Sequence, residues 1–158
     1  MANFEQAYRA TNAVESMQLT DDPLDRGGMT FGGISRKAWP NWKGWALIDA
    51  SQGRDAHGLP LAALHHEFFQ LNFWNALRGD ELTDQVFANK LYDAAVNCGT
   101  VVAVKWAQRA INALRDGEVL DEDGMIGSAS VYAFNHMLSS APQRWLILMI
   151  FEDRKSVV

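Results

Sequence analysis

Apolar residues recur at intervals of three and four positions over most of this chain, and this spacing predicts a series of helices. The predicted helices run from Asn3 to about Glu15, Leu61 to Leu77, Asp84 to Gly99, Thr100 to Leu114, Ser128 or Ser130 to Leu138, and Pro142 to Arg154. Asn3 and Asp84 are suited to cap the first turn of a helix, and Gly79 and Gly99 are suited to end one. The pattern therefore predicts a mainly α protein.

The stretch from Ser16 to Gly33 breaks this pattern, because it follows neither a helical nor a strand period. It contains three aspartates and the glycine pairs Gly27–Gly28 and Gly32–Gly33. The glycine pairs predict tight turns or a short β-hairpin around Met29 to Phe31. Loops of this length in a compact domain are usually either functional or disordered. We therefore expect the chemistry of the protein to lie in this stretch.

Two carboxyl groups, one directly before this stretch and one within it, have different surroundings. Glu15 lies near the end of the first predicted helix, where the helix dipole and partial burial both raise the pKa of a carboxyl group. Asp25 lies in the polar, glycine-rich loop, where backbone donors keep a carboxylate ionised. Glycoside hydrolysis requires one protonated and one ionised carboxyl group. The alternative is that the loop aspartates are solvated turn and cap residues.

The residues Asp25-Arg26-Gly27-Gly28-Met29-Thr30, followed by Gly33-Ile34-Ser35, resemble a family signature. The signature is Asp-x-Gly-Gly-x-Thr-x-x-Gly-Ile of glycoside hydrolase family 108, whose members are phage-type endolysins, or N-acetylmuramidases, also known as secretion activator proteins. Further segments that resemble the family are Arg36 to Trp42, Asn72 to Trp74, Leu91 to Gly99, Ala103 to Asn112 and Asp123 to Gly127. The resemblance implies a lysozyme-like helical fold with the glycine-rich active-site loop, or a short hairpin, after helix one.

The resemblance also implies roles for individual residues. Glu15 corresponds to the catalytic acid of the family. We expect Asp25 to be the second carboxylate and Thr30 to position water or that carboxylate. The residues expected to bind substrate are Gly27, Gly28, Gly33, Trp39, Trp42 and Asn97. No metal and no organic cofactor is expected.

Two of these substrate-binding assignments have a structural alternative. Trp39 and Trp42 are suited to stack on sugar rings, but tryptophan is equally suited to a core. Asn97 follows Asp93 at the spacing of one helical turn, so this pair either lines a cleft or supports the structure around it.

We expect one compact unit over residues 1–158, with a lysozyme-like catalytic part at 1–92 and a helical, peptidoglycan-binding part at 93–158. The expected activity is that of an N-acetylmuramidase, which hydrolyses the β-1,4 bond between N-acetylmuramic acid and N-acetylglucosamine. Ser16 and Met17 stand where the family has two glycines after the catalytic glutamate. That departure favours an alternative, a non-catalytic wall-binding or secretion-related protein. A lytic transglycosylase, which needs only Glu15, is a further alternative.

Composition limits the partners and the place of action. The net charge of −5 argues against nucleic-acid binding, which usually requires a basic surface. Cys98 is the only cysteine, so neither an internal disulfide nor a cysteine metal cage is possible. The longest apolar run, Trp145 to Phe151, is too short to span a bilayer. The first residues do not resemble a signal peptide, so we expect synthesis in the cytoplasm. The family resemblance implies release through a holin or a similar route, and action on glycan strands at the bacterial wall or periplasm.

Overall fold

The computed structural model describes residues 1–12, 17–21, 28–51, 60–114 and 120–139. The helix predicted from Pro142 to Arg154 lies outside the described residues. The elements in chain order are α1 (Phe4–Asn12), β1 (Leu19–Thr20), β2 (Thr30–Phe31), β3 (Ile34–Ser35), α2 (Gly44–Ala50), α3 (Leu61–Phe69), α4 (Gln85–Cys98), α5 (Thr100–Asn112) and α6 (Ser128–Leu138). A π-helical turn at Gln70–Trp74 and a 3-10 turn at Gly79–Glu81 lie between α3 and α4. The prediction of a mainly α protein is confirmed.

The chain divides into two compact units. The helical unit comprises Met1–Thr11 and Leu71–Val158, and the hairpin unit comprises Asn12–Gln70. Helix α4 runs through residues 92 and 93 without interruption. The predicted functional division at this point, into a catalytic and a wall-binding part, stays a prediction.

Two side-chain caps begin helices of the helical unit. The Asn3 carboxamide oxygen accepts a hydrogen bond from the Gln6 backbone N–H at 3.2 Å. The Asn3 N–H itself donates to the Gln85 side chain at 2.7 Å, so the start of α1 is joined to the start of α4. Asp84 caps α4 by accepting from the Phe87 N–H at 2.9 Å. Both caps agree with the sequence, because short polar side chains satisfy the open N–H groups of a first helical turn.

Helices α4 and α5 pack along each other, and Gly99 separates them. Gly99 has φ of +88°, a backbone conformation that side-chain-bearing residues rarely adopt, and the chain turns there from one helix into the next. Apolar residues from both helices, Leu91, Ala95, Val104 and Ile111 among them, are buried.

The core of the helical unit is aromatic. The Trp74 indole is 1% exposed and lies 5.8 Å from the Phe4 ring and 6.2 Å from the Tyr92 ring, measured between centroids. Its Nε1–H donates to the Asp80 carboxylate at 2.8 Å. A Cβ atom on Gly79 would lie 2.3 Å from the indole, so glycine is required there by packing.

The helix predicted from Leu61 to Leu77 differs in its second half. Helix α3 ends at Phe69, and a wide π-helical turn follows. Such a turn changes the direction in which the next side chains point, and both Trp74 and Leu77 are buried. The left-handed residue that ends the segment is Arg78, with φ of +51°, and not the expected Gly79.

Candidate functional site

The three short strands of the hairpin unit form one antiparallel sheet with β2 in the middle. Gly32 and Gly33 join β2 to β3 and have φ of +51° and +81°. A two-residue hairpin turn of this kind needs positive φ at both central positions, which glycine adopts without steric cost. The predicted hairpin around Met29 to Phe31 is therefore present, and its turn lies at the second glycine pair.

Thr30 lies in the middle strand, opposite Thr20 on one side and Ser35 on the other. Its hydroxyl donates to the Gly28 carbonyl oxygen at 3.1 Å. Because that bond uses the hydroxyl proton, the Thr30 oxygen offers lone pairs to a further partner. Thr30 is partly exposed, so such a partner has access from solvent.

His65 of α3 lies beneath the turn. Its Nε2 is 2.8 Å from the Gly32 carbonyl oxygen, and its side chain is buried, with 1% exposure. A carbonyl oxygen only accepts, so Nε2 carries the proton and donates. Burial lowers the pKa of His65, and this outweighs the opposite effect of the Gly32 hydrogen bond. The imidazole is therefore neutral at neutral pH.

An aromatic layer supports the same hairpin from α2 and the segment before it. The Phe31 ring stacks on Trp42 with a centroid distance of 5.7 Å and an interplanar angle of 25°. Trp42 is 9% exposed and also contacts Trp45 edge to face at 5.1 Å. Trp39 differs, since 39% of it is exposed while its ring meets Phe68 at 4.9 Å. Of the two tryptophans expected to bind sugar, Trp42 is buried in the core, whereas part of Trp39 is exposed to solvent.

Arg36, the residue directly after β3, links the open end of the hairpin to Asp49 of α2. Its guanidinium donates to both carboxylate oxygens of Asp49, each at 2.7 Å, and lies 5.4 Å from the Trp45 ring centroid. Its backbone N–H donates to the Met29 carbonyl oxygen at 2.8 Å. The Arg36 hydrogen bond lowers the pKa of Asp49. This ion pair is exposed to solvent, so it contributes to orientation more than to stability.

Comparison with known proteins decides the family. A protein-family model described as Glycosyl hydrolase 108 matches residues 9–99, which is more than half of the chain. The chain belongs to this glycosyl hydrolase family. The matched region runs from α1 through the sheet to the end of α4.

The structure has relatives among solved structures. Ten chains match, and one of them is titled "Structure of Brucella abortus SagA". That chain and this one have a TM-score of 0.69 and 24% sequence identity, and the match covers 96% of this chain and 76% of the other. The expected lysozyme-like, mainly α fold with a short hairpin after helix one is confirmed. No curated protein matches the sequence.

Membership in glycosyl hydrolase family 108 supports a glycoside hydrolase that acts on peptidoglycan. None of the helices in the described ranges is long and apolar enough to cross a membrane. Within the same ranges, no three His, Cys, Asp or Glu side chains are grouped so that they could hold a metal ion.

The residues predicted for the family site fall into three groups. Glu15, Asp25 and Gly27 lie outside the described residues. Gly28, Thr30, Gly33, Trp39 and Trp42 lie in the hairpin unit, on β2, its turn and the segment that follows β3. Asn97 lies near the end of α4 in the helical unit.

Asn97 is exposed, and its carboxamide turns back onto its own helix. The Asn97 Nδ2 donates to the Asp93 carbonyl oxygen at 2.7 Å and approaches the Asp93 carboxylate at 3.3 Å. These bonds agree with the spacing of the two residues on one helical face. A role of Asn97 in substrate binding stays a prediction.

No motif in the sequence connects His65 with the hairpin. The available signal was that His65 falls on the same helical face as Leu61 and Phe68, which are buried. That pattern indicates a buried histidine. Its partner, the Gly32 carbonyl, is distant in sequence, so spacing could not identify it.

Proposed function

We propose that this chain is an N-acetylmuramidase, which hydrolyses the β-1,4 bond between N-acetylmuramic acid and N-acetylglucosamine in peptidoglycan. The observation that carries the proposal is the extent of the family match, which includes Glu15, Asp25 and Thr30 in one segment. Glu15 and Asp25 supply the two carboxyl groups that glycoside hydrolysis uses, and Thr30 adds a hydroxyl.

Glu15 is the proposed general acid, which protonates the leaving glycosidic oxygen. Asp25 is the proposed second carboxylate, which stabilises the developing oxocarbenium ion or takes a proton from the attacking water. Thr30 is proposed to position that water. Since the Thr30 hydroxyl proton is donated to Gly28, the hydroxyl oxygen accepts a hydrogen bond, and a water molecule is a partner that donates one. An ionised carboxylate has no proton to donate, which favours water over Asp25 as the partner of Thr30.

The backbone and one aromatic side chain are proposed to contact the glycan. A Cβ atom on Gly28 would meet nothing within 4 Å, and Gly28 has φ of +64°. Glycine at such a position lets a ligand approach the backbone closely. Trp39 is 39% exposed and its ring contacts Phe68, and sugar rings pack favourably on indole surfaces. Gly27, Gly33 and Asn97 are also proposed to bind substrate, as the family resemblance implies. The buried Trp42, which stacks on Phe31, is proposed to support the hairpin.

We propose action at the bacterial cell wall or periplasm, as an endolysin of phage or prophage type, with holin-dependent release from the cytoplasm. This part of the proposal rests on the family resemblance.

The test is digestion of purified peptidoglycan followed by mass spectrometry of the products. A muramidase releases fragments with reducing N-acetylmuramic acid ends, and this is the expected result. Fragments with 1,6-anhydro-N-acetylmuramic acid ends would identify a lytic transglycosylase instead. Binding to the polymer without any release would identify a non-catalytic wall-binding or secretion-related protein, which Ser16 and the 39% exposed Met17 favour.

Replacing Thr30 tests the proposed water site. Thr30→Val keeps the shape of the side chain and its β-branch, but removes the oxygen. We expect kcat to fall by roughly 10- to 100-fold, because a poorly placed water loses much of the advantage of proximity. Thr30→Ser keeps the oxygen and should stay within about threefold of the wild-type kcat. Initial rates on soluble peptidoglycan fragments measure both, and equal losses for the two variants would reject the hydroxyl role.

A further inference from the structure

We propose that His65 is a positioning residue for the hydrolytic site, and that it acts by holding the β2–β3 turn through the Gly32 carbonyl. This inference rests on the proposed function, because it assigns His65 the task of placing Thr30 for that reaction. His65 itself touches no substrate in this proposal.

The two peptide groups of Gly32 connect the turn to its surroundings. The Gly32 carbonyl accepts from His65 Nε2 at 2.8 Å, and the Gly32 N–H donates to the Gln18 carbonyl at 3.2 Å. Gln18 directly precedes β1 and is three positions after Glu15 in sequence. The turn is therefore bonded on one side to α3 and on the other to the segment that follows the proposed acid.

The fit between Gly32 and His65 is close. A Cβ atom on Gly32 would lie 2.6 Å from His65 Nε2, well inside van der Waals contact. Gly32 therefore serves two needs: its positive φ forms the turn, and its missing side chain admits the imidazole. Both the hydrogen bond and the close fit require histidine at position 65 and glycine at position 32.

Packing holds the imidazole in one orientation. The Phe31 ring meets it edge to face at 6.3 Å, and the Phe69 ring lies 4.6 Å away, both measured between centroids. A polar ring buried to this degree costs stability unless its polar atoms are bonded. An apolar side chain would fill the same space at lower cost, so packing alone does not account for histidine at this position.

Thr30 lies two residues before Gly32 in the chain, with Phe31 between them. Two strand residues span only about 7 Å, so a tilt of the turn moves Thr30 as well. A displacement of about 1 Å at a catalytic group can cost roughly 100-fold in rate. Losing the His65 bond is therefore expected to act on the reaction rate through Thr30, with substrate affinity largely kept.

The experiment compares two amide replacements. The Gln side chain places an N–H donor near the position of Nε2, whereas the shorter Asn side chain does not reach it. We expect His65→Gln to keep kcat within about threefold of wild type, and His65→Asn to lower kcat by about 10- to 100-fold with KM within about twofold. His65→Leu, which leaves the Gly32 carbonyl without this donor, should behave as His65→Asn does.

Leu61→Ala is the control for loss of packing, because Leu61 is buried one turn earlier in α3. It should lower Tm at least as much as His65→Asn while keeping kcat, measured well below Tm. The inference is overturned if His65→Gln and His65→Asn lose kcat equally. It is also overturned if Leu61→Ala lowers kcat as much as His65→Asn does for the same loss of Tm. If the wild-type protein releases no fragments from peptidoglycan, the proposed function fails and this inference fails with it.

Discussion

Glu15→Gln is expected to lower kcat on peptidoglycan by about 1,000-fold, within the range of roughly 100- to 10,000-fold that a positioned general acid contributes. Glutamine has nearly the same shape as glutamic acid, but its amide does not supply a proton to the leaving glycosidic oxygen. The leaving sugar hydroxyl is a weak acid, so its departure without protonation is slow. Release of reducing ends from soluble peptidoglycan fragments measures this loss.

An activated substrate separates the acid role from other roles of Glu15. With a nitrophenyl glycoside, the leaving group is acidic enough to depart without help, so Glu15→Gln should lose far less activity on it. Glu5→Gln is the matched control, since Glu5 lies on the exposed side of α1, with Arg9 at 3.8 Å. It should keep wild-type kcat on both substrates. Similar losses for Glu15→Gln on both substrates would contradict the role of general acid.

Trp74→Ala is expected to lower the free energy of unfolding by about 3–5 kcal/mol, the usual cost of removing a large buried aromatic side chain. Trp74 is 1% exposed, contacts Phe4 and Tyr92, and fills the space that Gly79 leaves open. Gly79, which lies against the indole, has no side chain that could fill the resulting cavity. Urea denaturation followed by circular dichroism measures the change.

Trp39→Ala is the control of the same residue type for this prediction. Trp39 is 39% exposed, so its replacement removes less buried surface and should cost about 2 kcal/mol. Asp80→Ala tests the polar contact separately, because it leaves the Trp74 Nε1–H without its carboxylate partner and should cost about 1–3 kcal/mol. Equal losses for Trp74→Ala and Trp39→Ala would contradict the central position of Trp74 in the core.

Local features of the fold were predictable from sequence because their causes are local. Asn3 and Asp84 cap α1 and α4 with bonds to residues three positions later, which is within reach of one helical turn. The Gly32–Gly33 turn follows from the need for positive φ at two successive positions. Gly99 separates two helices for the same conformational reason. Each of these can be read from a few neighbouring residues.

Contacts between distant residues were not predictable in the same way. Trp39 and Trp42 are three residues apart, and the sequence does not distinguish them. The tertiary structure does, because Trp42 is buried against Phe31 while Trp39, which contacts Phe68, stays partly exposed. The end of the segment after α3 is another case. Arg78, and not Gly79, adopts the left-handed conformation, while Gly79 lies where the Trp74 indole leaves no room for a Cβ atom.

The sequence by itself determined the mainly α character of the chain, the hairpin in the glycine-rich stretch and the family to which it belongs, because these depend on periodicity, on glycine and on a contiguous signature. Only the tertiary structure decided that the Thr30 hydroxyl bonds to Gly28 and that His65 reaches the Gly32 carbonyl. The Gly32 contact joins residues 33 positions apart, and such pairings arise from packing, which no local pattern encodes.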